Sequence, residues 1–280
     1  MIPRLLLPLA VLPLAACAQE TLPQQAEASQ TQSVAAVASP ASDAGPASNA
    51  LPPFALADDA ELVYCLLDGG SKPTGELRQR VVRLAEAERE ESKKRVVPER
   101  TALIKSGLYD KKNVLVRLQD LTFRARRDTS FTDGLAELDP DMLRSFRDRK
   151  FAYRTTPLAW PNQPTVGSTL PDGGVTVQVS SSVVDIAKVG TTLRKRRVAG
   201  GPQPLTTPAG TFQCYQVEAE RENATVPRPD MAMRSTARQV DYYAPGVGVV
   251  RTEVYGKNGK LLAVRELTAR RTAAPPLGAK

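Results

Sequence analysis

From residue 61 onward the chain keeps returning to one pattern: a stretch with apolar residues at every second position, closed by a turn. Val175, Val177 and Val179 alternate cleanly, and Tyr215, Val217 and Ala219 share one face. Asn258-Gly259 sits between the extended stretches Val247–Tyr255 and Lys260–Leu267. That dipeptide accepts the positive φ angles of a two-residue hairpin turn, and the period of two gives each strand one buried and one solvated face. A chain built this way is constrained to antiparallel sheet.

Further strands follow from the same reading. Leu62 to Leu67 precedes the turn-rich Asp68-Gly69-Gly70-Ser71-Lys72-Pro73, and Val183 to Val198 forms another extended pass. Pro208-Ala209-Gly210 turns into Thr211–Glu220, and Arg238 to Tyr243 leads to Pro245-Gly246, a type II turn. Val114, Val116 and Leu118, then Leu121, Phe123 and Ala125, shift alternation at Gln119-Asp120, the mark of a bulge. Glu76 to Glu88 stays open: Leu77, Val81 and Leu84 fit helical spacing, while Val82 and Leu84 share a strand face with Arg78 and Arg80.

One helix is signalled. Asp139 can cap it, Pro140 suits its first position, Asp141 favours the positive end of its dipole, and Met142, Leu143 and Phe146 form an apolar face ending near Lys150. The expected fold is mainly β: a single antiparallel sheet, open or closed, of β-barrel type, with one short inserted helix. Long strands twist and curl, which hides their edges.

The first residues carry an address. Arg4 precedes an apolar run, and Leu14-Ala15-Ala16-Cys17 ends it. The run is far shorter than the ~20 residues of a membrane span, so it reads as an export signal. Cysteine after Leu-Ala-Ala resembles the lipobox of bacterial lipoproteins, which implies cleavage before Cys17 and acylation of that residue. Ala18 rather than Asp points to the outer membrane under the common sorting rule. The expected organisation is a signal over 1–16, lipidated Cys17 with a disordered linker over 17–60, a β-rich domain over 61–270 and a tail over 271–280. The linker is rich in Ala, Ser, Gln and Pro without periodic apolar residues.

Charge divides along the same boundary. Residues 18–60 hold five acids and no base, whereas 37 bases and 25 acids lie beyond residue 60, a net of +12 against +8 for the chain. Such a domain attracts anionic lipid if its bases cluster, and is merely soluble if both signs intersperse. Histidine is absent, which excludes Ser-His and Cys-His catalysis and His-ligated metal sites. With Cys17 lipidated, Cys65 and Cys214 remain. They could pair in an oxidising envelope or stay as two buried thiols.

The other candidate sites have plainer readings. Asp139 and Asp141 are explained by capping, and Asp68-Gly69-Gly70 and Asp172-Gly173-Gly174 lack the alternating oxygen ligands of a calcium loop. Arg194-Lys195-Arg196-Arg197 in a strand would divide between two faces, Arg194 with Arg196 and Lys195 with Arg197, and lacks the interleaved aromatics that nucleic acid requires. Trp160, among Pro157, Pro161 and Pro164, lines a mouth or plugs a barrel end.

Two segments carry a family likeness. Thr206-Thr207-Pro208-Ala209-Gly210-Thr211-Phe212-Gln213-Cys214-Tyr215 and Tyr243-Ala244-Pro245-Gly246-Val247-Gly248-Val249-Val250-Arg251 resemble paired segments of the TapB-like bacterial exported proteins, a domain of unknown function. Leu138-Asp139-Pro140-Asp141-Met142 and Lys257-Asn258-Gly259-Lys260-Leu261 fit the same family. The resemblance implies a barrel-like antiparallel fold and favours strand for Glu76–Glu88. It assigns turn roles to Pro208, Gly210, Pro245, Gly246, Gly248, Asn258 and Gly259, and brings no catalytic residue. The functional expectation is a non-enzymatic, lipid-anchored envelope protein without cofactor or metal. It would bind an apolar or amphiphilic ligand, an anionic lipid or an envelope protein, and no nucleic acid. The alternative is an assembly or scaffold component with its interior filled by Phe123, Tyr215 and Val217. A hydrolytic enzyme ranks last.

Overall fold

The computed structural model describes residues 52–92, 95–146, 148–228 and 231–271. The expected signal, Cys17, most of the linker and residues 272–280 lie outside the described residues. The strands are β1 (Glu61–Asp68), β2 (Pro73–Ser92), β3 (Arg95–Asp110), β4 (Leu115–Arg126), β5 (Thr129–Thr132), β6 (Lys150–Thr156), β7 (Leu158–Pro161), β8 (Gly173–Ser180), β9 (Asp185–Thr207), β10 (Gly210–Arg228), β11 (Met231–Ala244), β12 (Gly248–Tyr255) and β13 (Leu261–Arg271). They form one antiparallel sheet in the order β6-β8-β9-β10-β11-β12-β13-β1-β2-β3-β4-β5-β7. The mainly β, barrel-like expectation is met, and Glu76–Glu88 is strand, within β2.

The two edges of this sheet are neighbours in the chain. β6 and β7 are joined by Pro157 alone, so the segment Lys150–Pro161 pairs first with β8 and then with β5. A sheet whose opposite edges are consecutive in sequence must curl round on itself, giving a nearly closed barrel. Proline suits the crossing because it has no N–H to leave unpaired. Residues 133–146 seal the seam from within. Asp133 caps a 3₁₀ turn (Gly134–Glu137) by accepting from Leu135 N, and its other oxygen accepts from Thr122 N on β4 at 3.1 Å.

The inserted helix differs from its expectation. Asp139 does accept from Asp141 N at 3.0 Å, but the element is 3₁₀, runs Pro140–Phe146, and Lys150 already belongs to β6. Met142, Leu143 and Phe146 pack on Val175, Val177 and Val179 inside the wall. One short face against a curved sheet leaves no second apolar stripe to hold further turns.

A second apolar cluster fills the other half of the barrel, with Phe54, Leu121, Phe123, Trp160, Val217 and Tyr243 among its members. Each such buried side chain contributes roughly 1.5–3 kcal/mol. Phe54, within a turn at Pro53–Ala55, and Leu56 just after it are buried there, so this end of the expected linker belongs to the core. Phe54 stacks edge-on against Phe123 and Tyr243 and closes that end. A Cβ at Gly248 would sit 3.6 Å from the Phe54 ring, and Arg270 ties the plug to the Pro245-Gly246 turn by donating to Phe54 O, Ala55 O and Gly246 O.

Two local expectations are corrected, and the open choice for the two cysteines falls to separate buried thiols. β4 keeps one continuous register through Gln119-Asp120, so the phase change is a change of buried face, not a bulge. Leu121, Phe123 and Ala125 point inward, and Val116 and Leu118 point to solvent. Cys65 and Cys214 are both buried but not joined. Cys214 is in the interior cluster, whereas Cys65 faces away from its core-facing neighbours Leu62 and Tyr64. Thiols on opposite faces of one wall cannot meet. Arg194 and Arg196 do not share a face: Lys195 has φ of 52° and the register slips beside it. This sends Arg196 inward alone.

Candidate functional site

The interior holds a charged layer between its two apolar clusters, built by alternation. In β10, Arg221 follows Val217 and Ala219 on the inward face, and in β11 Gln239 and Asp241 precede Tyr243 on theirs. Thr252 of β12 and Arg265 of β13 complete the wall side, and Glu137 enters from the seam turn. Arg221 donates to Glu137 Oε2 (3.1 Å), Glu137 O (2.7 Å) and Gln239 Oε1 (3.0 Å). Gln239 Nε2 donates to both oxygens of Asp241 (3.1 and 3.0 Å), and Thr252 Oγ1 donates to Asp241 Oδ1 at 2.7 Å. Arg265 donates to Thr252 Oγ1 at 3.1 Å and lies 3.7 Å from Glu137 Oε1.

The two carboxylates are pushed in opposite directions. Burial acts to raise Glu137, but Arg265, Arg221 and the Gln239 donor outweigh it and hold its acid strength above the ordinary. Asp241 is raised, by burial first and by neighbouring Glu137 second. Arg196 lies beyond this layer, with its guanidinium 4.7 Å from the Trp160 ring centroid and donating to Ala159 O (3.1 Å) and Pro171 O (3.0 Å). Burial brings it down to about 10, so it stays charged at neutral pH. Trp160 donates to Thr132 Oγ1 at 2.9 Å. It is therefore a core residue near the closed end and lines no open mouth.

Space is divided by the charged layer. On the closed side, between Phe54, Tyr64, Trp160 and Arg265, a cavity of about 30 Å³ has room for about one water molecule. On the other side a cleft of about 580 Å³ opens at the barrel end. Glu137, Arg221 and Arg265 form its floor, and Leu66, Ser235, Ala237, Val254 and Ala263 stand on its walls. This falls in the size range of small-molecule sites. Phe123 and Val217 thus fill only the closed half, and half-buried Tyr215 packs against that cluster.

The carboxylates around the cleft all have structural partners. Glu137 has its arginines, Asp139 its turn N–H, and Asp141 pairs with Arg144 at 3.2 Å. Asp68 accepts from Gly70 N and Lys72 N, and Asp172 from Lys195 N, so both Asp-Gly-Gly segments are turn or strand contacts. The outward members of the basic run form a ladder with β10: Arg194–Glu222 (3.3 Å), Lys195–Glu220 (2.9 Å) and Arg197–Glu218 (2.8 Å). Gly246 and Gly259 have positive φ, as do Gly210 and Gly248 at the first positions of β10 and β12, Pro208 and Pro245 lie in the β9–β10 and β11–β12 turns, and Asn258 accepts from Lys260 N. The charged layer is what sequence reasoning missed. Its one signal was Arg221, next on the face already marked by Val217 and Ala219.

A family model described as DUF3108-like matches residues 65–267. No curated protein matches the chain. Two solved structures share the fold. One is a protein provisionally assigned as a lipoprotein from Parabacteroides distasonis, with 18% identity, TM-score 0.61, and coverage of 79% of this chain and 97% of that one. The other is a provisionally assigned exported protein with a YmcC-like fold from Bacteroides fragilis, with 15% identity, TM-score 0.56, and coverage of 80% and 99%.

Proposed function

Since the chain belongs to the DUF3108-like family, we propose that it is an exported, lipid-anchored envelope protein of non-enzymatic type whose open cleft binds an apolar or amphiphilic ligand. The Leu14-Ala15-Ala16-Cys17 segment supports the anchor, and Ala18 supports the outer membrane as its destination. The narrower TapB-like kinship rests on the two turn segments, which pack around the closed end. The observation that carries the ligand reading is the cleft itself. It offers about 580 Å³ between aliphatic walls and an ionic floor, which suits a molecule with a long apolar part and a polar head. Among the described residues around the cleft each carboxylate is committed to a partner and none is paired with a nucleophile, which supports binding over catalysis.

Native mass spectrometry of the purified full chain tests the binding. A co-purifying or added amphiphile should appear as a discrete adduct, and none with either would sink the ligand reading in favour of a scaffold. Cys17→Ser should release the protein from membranes with its fold intact. Continued membrane fractionation of that variant would overturn the anchor.

A further inference from the structure

We propose that the open end of the barrel is a docking face for an anionic phospholipid surface, so that the cleft opens onto the membrane. The proposal rests on the envelope placement above but not on the cleft being occupied.

The argument begins with topology. In an antiparallel meander successive turns alternate between the two ends. The β1–β2, β3–β4, β8–β9 and β12–β13 turns therefore share the end where the cleft opens, while the Pro208, Pro245 and Phe54 turns share the closed end. Exposed aliphatic side chains gather at the open end. Val114, Val116 and Leu118 follow the β3–β4 turn, Val183 tips the β8–β9 turn, Met233 lies near the start of β11, and Leu262 follows the β12–β13 turn. Val116 is 59% exposed and Val183 87%. Large aliphatics held in water on several hairpins at one end are costly unless something covers them.

The charge beside them says what covers them. Lys72, Lys111, Lys112, Lys257 and Lys260 stand exposed on three of these turns. Among the described residues none of the five lies within salt-bridge distance of a carboxylate, whereas Arg194, Lys195, Arg197 and Arg238 on the wall are paired with glutamates. The acids of this end among the described residues include Asp68, Glu76, Asp110, Asp139, Asp141, Asp148 and Asp185, of which Glu76 pairs with Arg78 and Asp139 accepts from Asp141 N. Asp68 and Asp110 each use one oxygen on two turn N–H groups, Asp141 pairs with Arg144, and Asp185 accepts from Ser180. Exposed lysines outside any direct ion pair, beside exposed aliphatics, suit a surface that is anionic outside and apolar just beneath.

The tether permits this orientation. The described chain enters at the closed end, and 35 residues separate Cys17 from Pro53. Their contour length is roughly 120 Å, whereas β13 with its 11 residues spans roughly 37 Å. An anchor on Cys17 therefore reaches a membrane lying against the opposite end.

The test is vesicle co-sedimentation of the chain from residue 17 carrying Cys17→Ser, which leaves no acyl chain to dominate binding. The probes are phosphatidylethanolamine–phosphatidylglycerol vesicles and neutral phosphatidylcholine vesicles. The chain should bind the anionic vesicles, and bind them less at high salt. Val116→Ser with Leu118→Ser, and separately Lys111→Glu with Lys112→Glu, should each weaken binding by about tenfold or more. Val82→Ser with Val96→Ser, exposed away from this end, should leave it unchanged. Hydrogen exchange of the unaltered chain should slow at residues 111–118 when anionic vesicles are added, a readout that needs no variant to fold. No binding, equal binding to neutral vesicles, or equal binding by all variants would overturn the proposal. So would a dimer in vesicle-free buffer that the open-end variants dissolve, since a second copy would then be the occupant. Amphiphile adducts in native mass spectrometry report the cleft separately, so failure of either reading leaves the other measurable.

Discussion

Arg221 holds Glu137 twice, donating 3.1 Å to its side chain and 2.7 Å to its main-chain carbonyl. The two residues are 84 positions apart. One is on β10, the fourth strand from the β6 edge of the sheet, and the other on the turn that closes the seam, so this contact fastens the seam turn to the barrel wall. Both are mostly buried, and neither charge has water to fall back on.

Arg221→Met should therefore cost about 3–5 kcal/mol, because it removes the nearest charge partner of a buried carboxylate. Replacing the pair together, Arg221→Met with Glu137→Leu, should cost less than either single change. Urea unfolding of the four proteins checks this. A double variant as unstable as the sum of the singles would show the pair to be uncoupled.

The two acids predict opposite pH trends. Glu137 ionises more readily in the folded state than in the unfolded chain, where its value is about 4.3. Its stabilising contribution is complete above that value and is lost as pH falls through its lowered folded pKa. The deficit of Glu137→Gln relative to wild type should thus be full at neutral pH and shrink in acid. Asp241 is raised, so its ionisation disfavours the fold as pH climbs from its unfolded value through its folded one. Asp241→Asn should gain on wild type over that rise. Stability curves measured against pH separate the two, and parallel curves for both variants would refute the assignment.

The seam tolerates no side chain at Gly134. A Cβ there would collide with the main-chain oxygens of Gly174 and Thr156. Both are backbone of strands beside the seam, and neither can move aside. Gly134→Ala should cost more than about 3 kcal/mol. Gly246→Ala meets nothing within 4 Å, but it must hold φ near 76°, so its cost should stay near 1–2 kcal/mol. Thermal melts of the two variants give the comparison, and equal melting temperatures would count against the tight seam.

Trp160 is the chain's one tryptophan, which makes its emission a local reporter. Arg196 covers its ring and ties β9 to Ala159 and Pro171. Arg196→Ala should open space beside the indole, shift its emission to the red, and cost about 2–4 kcal/mol. An unchanged spectrum would mean that the arginine does not shield the ring.

Burial pushes the Cys214 thiol up to about 11. Thiol labelling of Cys214 at neutral pH should therefore wait for unfolding and track the unfolding rate under denaturant. Rapid labelling of the native protein at this position would contradict its place in the core.

The hairpins were legible in the sequence because their causes are local. Asn258-Gly259 needs only a residue free to take positive φ, and Val175, Val177 and Val179 need only a period of two. Turn chemistry and alternation together determined an antiparallel barrel-like sheet, and the likeness around Gly210 and Gly246 pointed to turns that the structure places at its closed end. Phase was harder to read: Val114 to Ala125 alternates apolar residues in two registers, and alternation alone cannot tell a bulge from a strand that buries one face and exposes aliphatics on the other.

What tertiary structure alone decided is where distant residues meet. Nothing within a few residues of Glu137 announces Arg221 or Arg265, and Lys195 turned Arg196 inward through a single backbone dihedral. Closure of the sheet across Pro157 brings the seam turn into the interior, and only then do charges spread from residue 137 to residue 265 share one layer. The sequence determined the strands because each strand's energetics is local. The charged layer, the cleft above it and the end that the exposed lysines occupy follow from how the sheet closes, which is a property of the whole chain.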